Sequence, residues 1–288
     1  MSELRRARPL LGTIVEMRVD GLAQPAALAA IDAAFAEVAE VHRLMSFHEP
    51  GSELSRLNRD AAQHAVEVDT RTFEVLQAAL DIAAASEGRF DPSVAARLVQ
   101  WDFLPAPASA CLPDPAADWR DIELTAKSRV HFVRPLWIDL GGIAKGYAVD
   151  RALAILRTAG AYAASVNAGG DLRRFGPHAA KVQLRLTAER IDQSVVELGD
   201  AALASSVGHV AARRVVGRWR GVHLDGRSRR AVAARRSVSV VAPSCMIADA
   251  LTKVVLVDAR TGTRLLRQFD ATACLYDQQQ GWRTLGDR

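Results

Sequence analysis

The chain has 288 residues, 49% hydrophobic and 24% charged, with a net charge of +4. Such a chain is long enough for a sizeable core, and a mildly basic balance permits anionic ligands without demanding nucleic acid. No stretch reaches the apolar length of a membrane span, so stable membrane insertion is not expected. The first residues, Met1 to Arg8, are polar and basic, with no apolar signal core and no lipoprotein-type cysteine after them. Cys111, Cys245 and Cys274 are an odd set without CxxC spacing, and the histidines show no HExxH spacing. The expectation is a cytoplasmic protein with reduced thiols.

In chain order, Leu10 to Val19 alternates as a first strand once past Gly12. An alanine-rich helix over about 25–45 follows, with Leu28, Ile31, Phe35, Val38, Val41 and Leu44 on one face. The serine-rich stretch Met45 to Asn58 reads as a capping loop with an exposed histidine, His48. A second amphipathic helix starts at an Asp69 or Thr70 cap, turns Phe73, Leu76, Leu80 and Ile82 inward and ends at Gly88. Gly88 to Val94 is a turn with an Asp91-Pro92 start, and 104–120 is a proline- and alanine-rich surface loop. Strands are expected at 122–126 and 129–134.

Next, Leu136 to Leu140 reads as a buried strand end, Gly141-Gly142 as a turn, and Lys145 onward as a helix to Gly160. Adjacent glycines let a ligand approach the backbone, and helix-start amides favour an anion. Asp139 and Lys145 bracket that turn; the alternative is a plain tight turn with a solvated lysine. Tyr162 to Ala168 is a strand running into the Gly169-Gly170 turn and Asp171, and further strands fall near 181–187, 194–198 and 200–206. Residues 211–236 carry nine arginines against one acid, Asp225. With Trp219 the one aromatic there, the tract reads as a solvated face, and no nucleic-acid partner is expected. Ser237 to Ala242 is a strand, and a helix follows from Cys245, placing Asp249 and Lys253 on one face.

The central segment, Ile138-Asp139-Leu140-Gly141-Gly142-Ile143-Ala144-Lys145-Gly146-Tyr147, resembles the signature of the ApbE family, the FAD:protein FMN transferases. Other stretches match that family in the same order. They are Leu11-Gly12-Thr13, Met45-Ser46 to Asn58, Gly88-Arg89-Phe90-Asp91, Val166-Asn167-Ala168-Gly169-Gly170-Asp171 and Ala248-Asp249-Ala250. The resemblance implies an α+β fold, a single domain over 1–288 built on a mixed, largely antiparallel sheet with packed helices. It implies an enzyme that cleaves FAD, joins FMN through a phosphoester to a threonine or serine of an acceptor flavoprotein, and releases AMP. By the same resemblance, Leu11, His48, Phe90, Asp91, Asp139, Lys145, Asn167 and Leu224 would contact FAD, with Phe47 or His48 against the flavin ring. Gly142, through its carbonyl, and Asp249 would hold Mg²⁺. Asp249, Lys253 and His223 would serve catalysis.

The chain departs from the family pattern at several of these positions. Leu11 stands for a methionine, His48 for a tyrosine, and His223 lies one residue closer to Asp225 than the pattern has it. Most consequential is Lys253, where the family has the threonine that helps bind Mg²⁺. Thr252 is displaced by about 100° around the helix. Three alternatives follow: Lys253 replaces the metal, Mg²⁺ still binds through Asp249, the Gly142 carbonyl, waters and phosphates, or the pair is an inert surface salt bridge. A non-catalytic FAD-binding protein and an FAD pyrophosphatase are the alternative functions.

Overall fold

The computed structural model describes residues 3–107, 111–185, 191–208, 212–215, 217–232 and 235–286. Residues 108–110 of the loop expected at 104–120, the strand positions 186 and 187, and residues 211, 216, 233 and 234 of the basic tract lie outside the described residues. In chain order the elements are β1 (Leu4–Leu10), β2 (Thr13–Asp20), α1 (Gln24–Met45), α2 (Glu53–Asp60), β3 (Val66–Glu67), α3 (Thr70–Ala85), α4 (Ala95–Gln100), β4 (Ile122–Thr125) and β5 (Arg129–Phe132). There follow α5 (Ala144–Thr158), β6 (Ala163–Ala168), β7 (Asp171–Phe175), β8 (Ala180–Arg185), β9 (Ile191–Leu198), β10 (Ala201–Val207), β11 (Arg213–Val215) and β12 (Arg218–Arg220). The last are β13 (Leu224–Asp225), β14 (Arg230–Ala231), β15 (Arg236–Ala242), α6 (Cys245–Val257), α7 (Ala259–Gln268), β16 (Thr272–Asp277) and β17 (Gly281–Leu285). The mixture is α+β, and every strand pairing among the described residues is antiparallel.

Two compact units divide the chain. The first comprises 1–42, 145–207 and 235–288, and the second 43–144 and 208–234.

The first unit is built on an eight-stranded sheet in the order β1-β2-β6-β7-β10-β15-β16-β17. β2 shows why it forms: Val15, Met17 and Val19 are buried while Ile14 is exposed, the period-two pattern of a strand with one face in the core. β1 is a correction to the expected single strand, since its basic residues pair along the whole of β2, from Leu4↔Val19 to Leu10↔Thr13. Its side chains are mostly exposed because it is an edge strand, where arginines and Pro9 discourage further pairing and no apolar alternation is needed. α6 packs on β10 and β15. Its sequence is apolar on nearly every face and is buried accordingly, so the charges of Asp249 and Lys253 require partners inside the protein.

The second unit holds α2, α3 and α4, a three-stranded sheet ordered β3-β5-β4, and the hairpins β11–β12 and β13–β14. Leu98, Trp101 and Leu224 form one of its clusters. The expected strand end at 136–140 is not a strand. Its residues are largely buried, but Asn58 takes the place of a neighbouring strand: its amide oxygen accepts from Ile138 N (2.7 Å) and its amide nitrogen donates to Ile138 O (3.0 Å). Asp139 N donates to Pro92 O (2.8 Å). α3 ends at Ala85, before the expected Gly88, with Ser86 as its cap and Glu87 and Gly88 both at positive φ.

Candidate functional site

The residues with the densest charge lie in the first unit, where the first turn of α5 meets the first turn of α6. Gly146 makes that approach possible, since a Cβ there would fall 2.7 Å from Met246 N and closer still to the Cys245 carbonyl. Gly146 N, unpaired within its own helix's first turn, donates to Asp249 Oδ2 (3.3 Å). The opening amides of α6 are already taken: Asp150 accepts from Cys245 N (2.9 Å), Met246 N (2.9 Å) and Ser244 Oγ (2.8 Å). Any external anion at this junction therefore faces α5 and the lysines, not the start of α6.

Four side chains make the cluster. Lys145 donates to Asp171 Oδ2 and lies 3.8 Å from Asp249 Oδ2, while Lys253 pairs with Asp249 Oδ1 and donates to Asp249 O (3.0 Å). Asp249 is 0% and Asp171 2% exposed at the side chain, against 33% for Lys145 and 16% for Lys253, so the lysines are the solvent-facing members. Burial of Asp249 alone would favour its neutral form, but Lys145 and Lys253 outweigh it and hold the carboxyl below the usual range. Asp171 goes the other way: burial and the Asp249 charge push it up, only partly offset by the lysines. Burial of Lys145 works against its charge, yet Asp249 and Asp171 win and keep the ammonium above its ordinary value. Burial also pushes the Cys245 thiol well up, which leaves it protonated and a poor nucleophile.

This donor set does not suit a dication. Both carboxylate oxygens of Asp249 face cations or an amide, its carbonyl accepts from Lys253 and from Thr252 Oγ1 (2.6 Å), and Thr252 Oγ1 lies 2.8 Å from Ser206 Oγ. With Asp249 wholly buried, the reading as an inert surface salt bridge is overturned.

Beside this cluster in chain order, the Gly169-Gly170 turn, both residues at positive φ, leads into Asp171. A Cβ on Gly169 would meet Thr13 Oγ1 at 2.6 Å, so the turn at Leu11–Thr13 lies directly against it. Leu11 adopts φ 56°, a left-handed value that a branched side chain holds at a cost. Asn167 is exposed, and its Oδ1 accepts from Gly170 N (3.0 Å), a turn-shaping role. Leu11, Asn167, Lys145, Asp249 and Lys253 thus all belong to the first unit.

The other expected site residues belong to the second unit. His48 is exposed and Phe47 buried; Gly142 is half-buried in the turn after Leu140. Asp139 Oδ1 accepts from Gly141 N (3.1 Å). Phe90 and Asp91 are both buried, and Asp91 pairs with Arg229 (3.0 Å) while accepting from Ser93 N and Oγ (2.7 Å each). Leu224 is buried against Leu98 and Trp101; His223 is half-buried, its carbonyl accepting from Val232 N (3.0 Å). The side chains of the Ser52-Glu53 to Asn58 motif are largely architectural. Ser52 caps α2, Glu53 accepts from Asp69 N (3.0 Å) and Thr72 Oγ1 (2.7 Å), and Asn58 clamps Ile138. Much of the basic tract is likewise engaged: Arg213 lies 4.7 Å over Phe103, Arg220 5.1 Å over Trp101, Arg229 on Asp91 and Arg236 on Asp277. Sequence reasoning missed Asp150 as the acceptor that joins the N-cap Ser244 at the start of α6; the signal was a carboxylate on one helix and a Ser-Cys start on another, which spacing does not connect.

A sequence model of the ApbE family matches residues 11–276. Among named relatives, an FAD:protein FMN transferase of Rhodobacter capsulatus is 32% identical over 182 residues, 60% of this chain and 35% of that one. One from Vibrio cholerae is 28% identical over 239 residues, 76% of this chain and 70% of that one. The matched part is thus about a third of the Rhodobacter protein's length. Among solved structures, the ApbE protein from Thermotoga maritima superposes with a TM-score of 0.85 at 25% identity, covering 98% of this chain and 96% of that one. The flavin transferase ApbE from Vibrio cholerae gives 0.80 at 23% identity, covering 98% and 96%. Among the described residues, no helix is long and apolar enough to cross a membrane.

Proposed function

The chain belongs to the ApbE family, and on that premise we propose that it is an FAD:protein FMN transferase, acting as one domain over 1–288. The observation that carries the proposal is the buried two-lysine, two-aspartate cluster at the junction of α5 and α6, with Lys145 its most exposed member. In such a cluster the buried carboxylates hold two ammonium groups in place, with Lys145 turned toward solvent where it can face a pyrophosphate.

In the proposed reaction, the hydroxyl oxygen of an acceptor threonine or serine attacks the phosphorus on the FMN side of FAD. A new P–O ester bond forms, the bond to the bridging oxygen breaks, and that oxygen leaves with AMP. Lys145 binds the phosphates and balances the charge that grows on the leaving group. Asp249 fixes both lysines; held ionised, it is an anchor more than a base. His223 is the proposed acceptor of the hydroxyl proton. Leu11, Asn167 and Asp139 shape the turns expected to meet FAD, and His48, Phe90, Asp91 and Leu224 are proposed for its flavin half. The oxygens of Asp249 expected to hold Mg²⁺ are already engaged by Lys145, Lys253 and the Gly146 amide.

The acceptor is proposed to be a flavoprotein met in the cytoplasm. No disulfide joins Cys111, Cys245 and Cys274, which suits a reducing compartment. The test is incubation of the full chain with FAD and a threonine-bearing flavoprotein acceptor, followed by mass analysis. A gain of one FMN on the acceptor supports the reading. AMP and free FMN without modified acceptor would point to a pyrophosphatase, and bound FAD with no products to a binding protein.

A further inference from the structure

The misfit between Mg²⁺ and the side chains around Asp249 carries an inference that rests on the transferase reading. We propose that Lys253 occupies the seat of the divalent cation, so that this chain binds the phosphates of its donor without a metal.

Three observations converge. Lys253 engages the carboxylate and the carbonyl of Asp249 together, the two oxygen types that a hard dication would recruit from this helix. It emanates from a helix buried on nearly all sides, and its side chain is half as exposed as that of Lys145, 16% against 33%. Thr252, the nearest hydroxyl in sequence, is committed to Ser206 and to its own helix. Charge leads to the same conclusion. Lys145, Lys253, Asp171 and Asp249 sum to zero when all are ionised. A dication added among them would be flanked by two ammonium groups in a poorly hydrated site, where repulsion is barely screened. Among the described residues, no group of three or more His, Cys, Asp or Glu side chains converges to offer an alternative seat.

The experiment uses Mn²⁺ as the probe, titrated into the full chain with and without FAD and followed by the loss of the free-ion EPR signal. FAD binding is measured in parallel in EDTA and in Mg²⁺. The wild-type chain is expected to take up no Mn²⁺ at sub-millimolar concentration and to bind FAD equally in both media. K253T, which returns a hydroxyl to the position four residues after Asp249, is expected to gain Mn²⁺ binding, and D249A/K253T to lose it again. K253M is expected to weaken FAD binding about 10-fold, the scale of one charge-assisted phosphate contact. Mn²⁺ uptake by the wild-type chain that D249A abolishes would overturn the proposal, as would FAD binding that EDTA removes and Mg²⁺ restores. FAD binding indifferent to EDTA without FMN transfer in either medium would leave this inference standing and defeat the transferase reading.

Discussion

Gly146 and Cys245 pack backbone against backbone, so closely that no side chain fits between the first turns of α5 and α6. The sequence shows this glycine as one more small residue near a turn, and its purpose emerges only when two helices far apart in the chain are brought together. Gly146→Ala should lower stability by about 3 kcal/mol, since the clash is with main chain and relaxation must move a helix. Thermal melting checks it. Gly51→Ala and Gly199→Ala, where an added Cβ meets nothing within 4 Å, should stay within about 0.5 kcal/mol of wild type.

Asp150 holds the start of α6 through two amides and the Ser244 hydroxyl, and it also pairs with Arg173 (2.7 Å). Asp150→Ala removes the acceptor of two opening amides, delivered from another helix, and should cost about 2 kcal/mol in denaturant unfolding. Asp150→Asn keeps an acceptor oxygen and should lose less. Equal losses would mean that the charge of Asp150, facing the helix dipole and Arg173, matters more than its hydrogen bonds.

Asn58→Leu fills nearly the same space but leaves Ile138 N and O without their partner in a buried setting. The expected cost is about 3 kcal/mol, at the upper range for unsatisfied backbone groups. If melting is unchanged, the segment at 136–140 finds other partners and the clamp is dispensable.

Asp91 gives a pH signature. Burial pushes its carboxyl above the usual value despite Arg229 and Ser93. The folded state therefore holds the proton more tightly than the unfolded chain does. The contribution to stability is fully present below the unfolded value of about 3.9 and is lost as pH rises through the folded value. The stability of wild type relative to Asp91→Asn should accordingly fall across that window. A difference that rises with pH would mean that the ion pair with Arg229 outweighs burial.

The helices α1, α3, α5 and α6, strands such as β2, β4, β5, β6, β10 and β15, and the Asp249–Lys253 pair were legible because periodicity and i,i+4 spacing are local facts, whereas α2, inside the stretch read as a capping loop, and the short α4 and α7 were not. The central run at 136–140 was legible as buried but not as strandless, because its partner is a single amide eighty residues away in sequence. β1 was missed because an edge strand carries no apolar alternation. Asp171 was visible as the end of a glycine turn. Its bond to Lys145 was not, since it depends on how β7 and α5 meet within the first unit.

The most direct measurement is the ratio of AMP released to FMN covalently attached when the full chain acts on FAD and a threonine-bearing flavoprotein acceptor. The proposed function predicts one AMP per modified threonine, with both products lost together in Asp249→Ala. AMP released without attached flavin, or attachment that persists undiminished in Asp249→Ala, would contradict it.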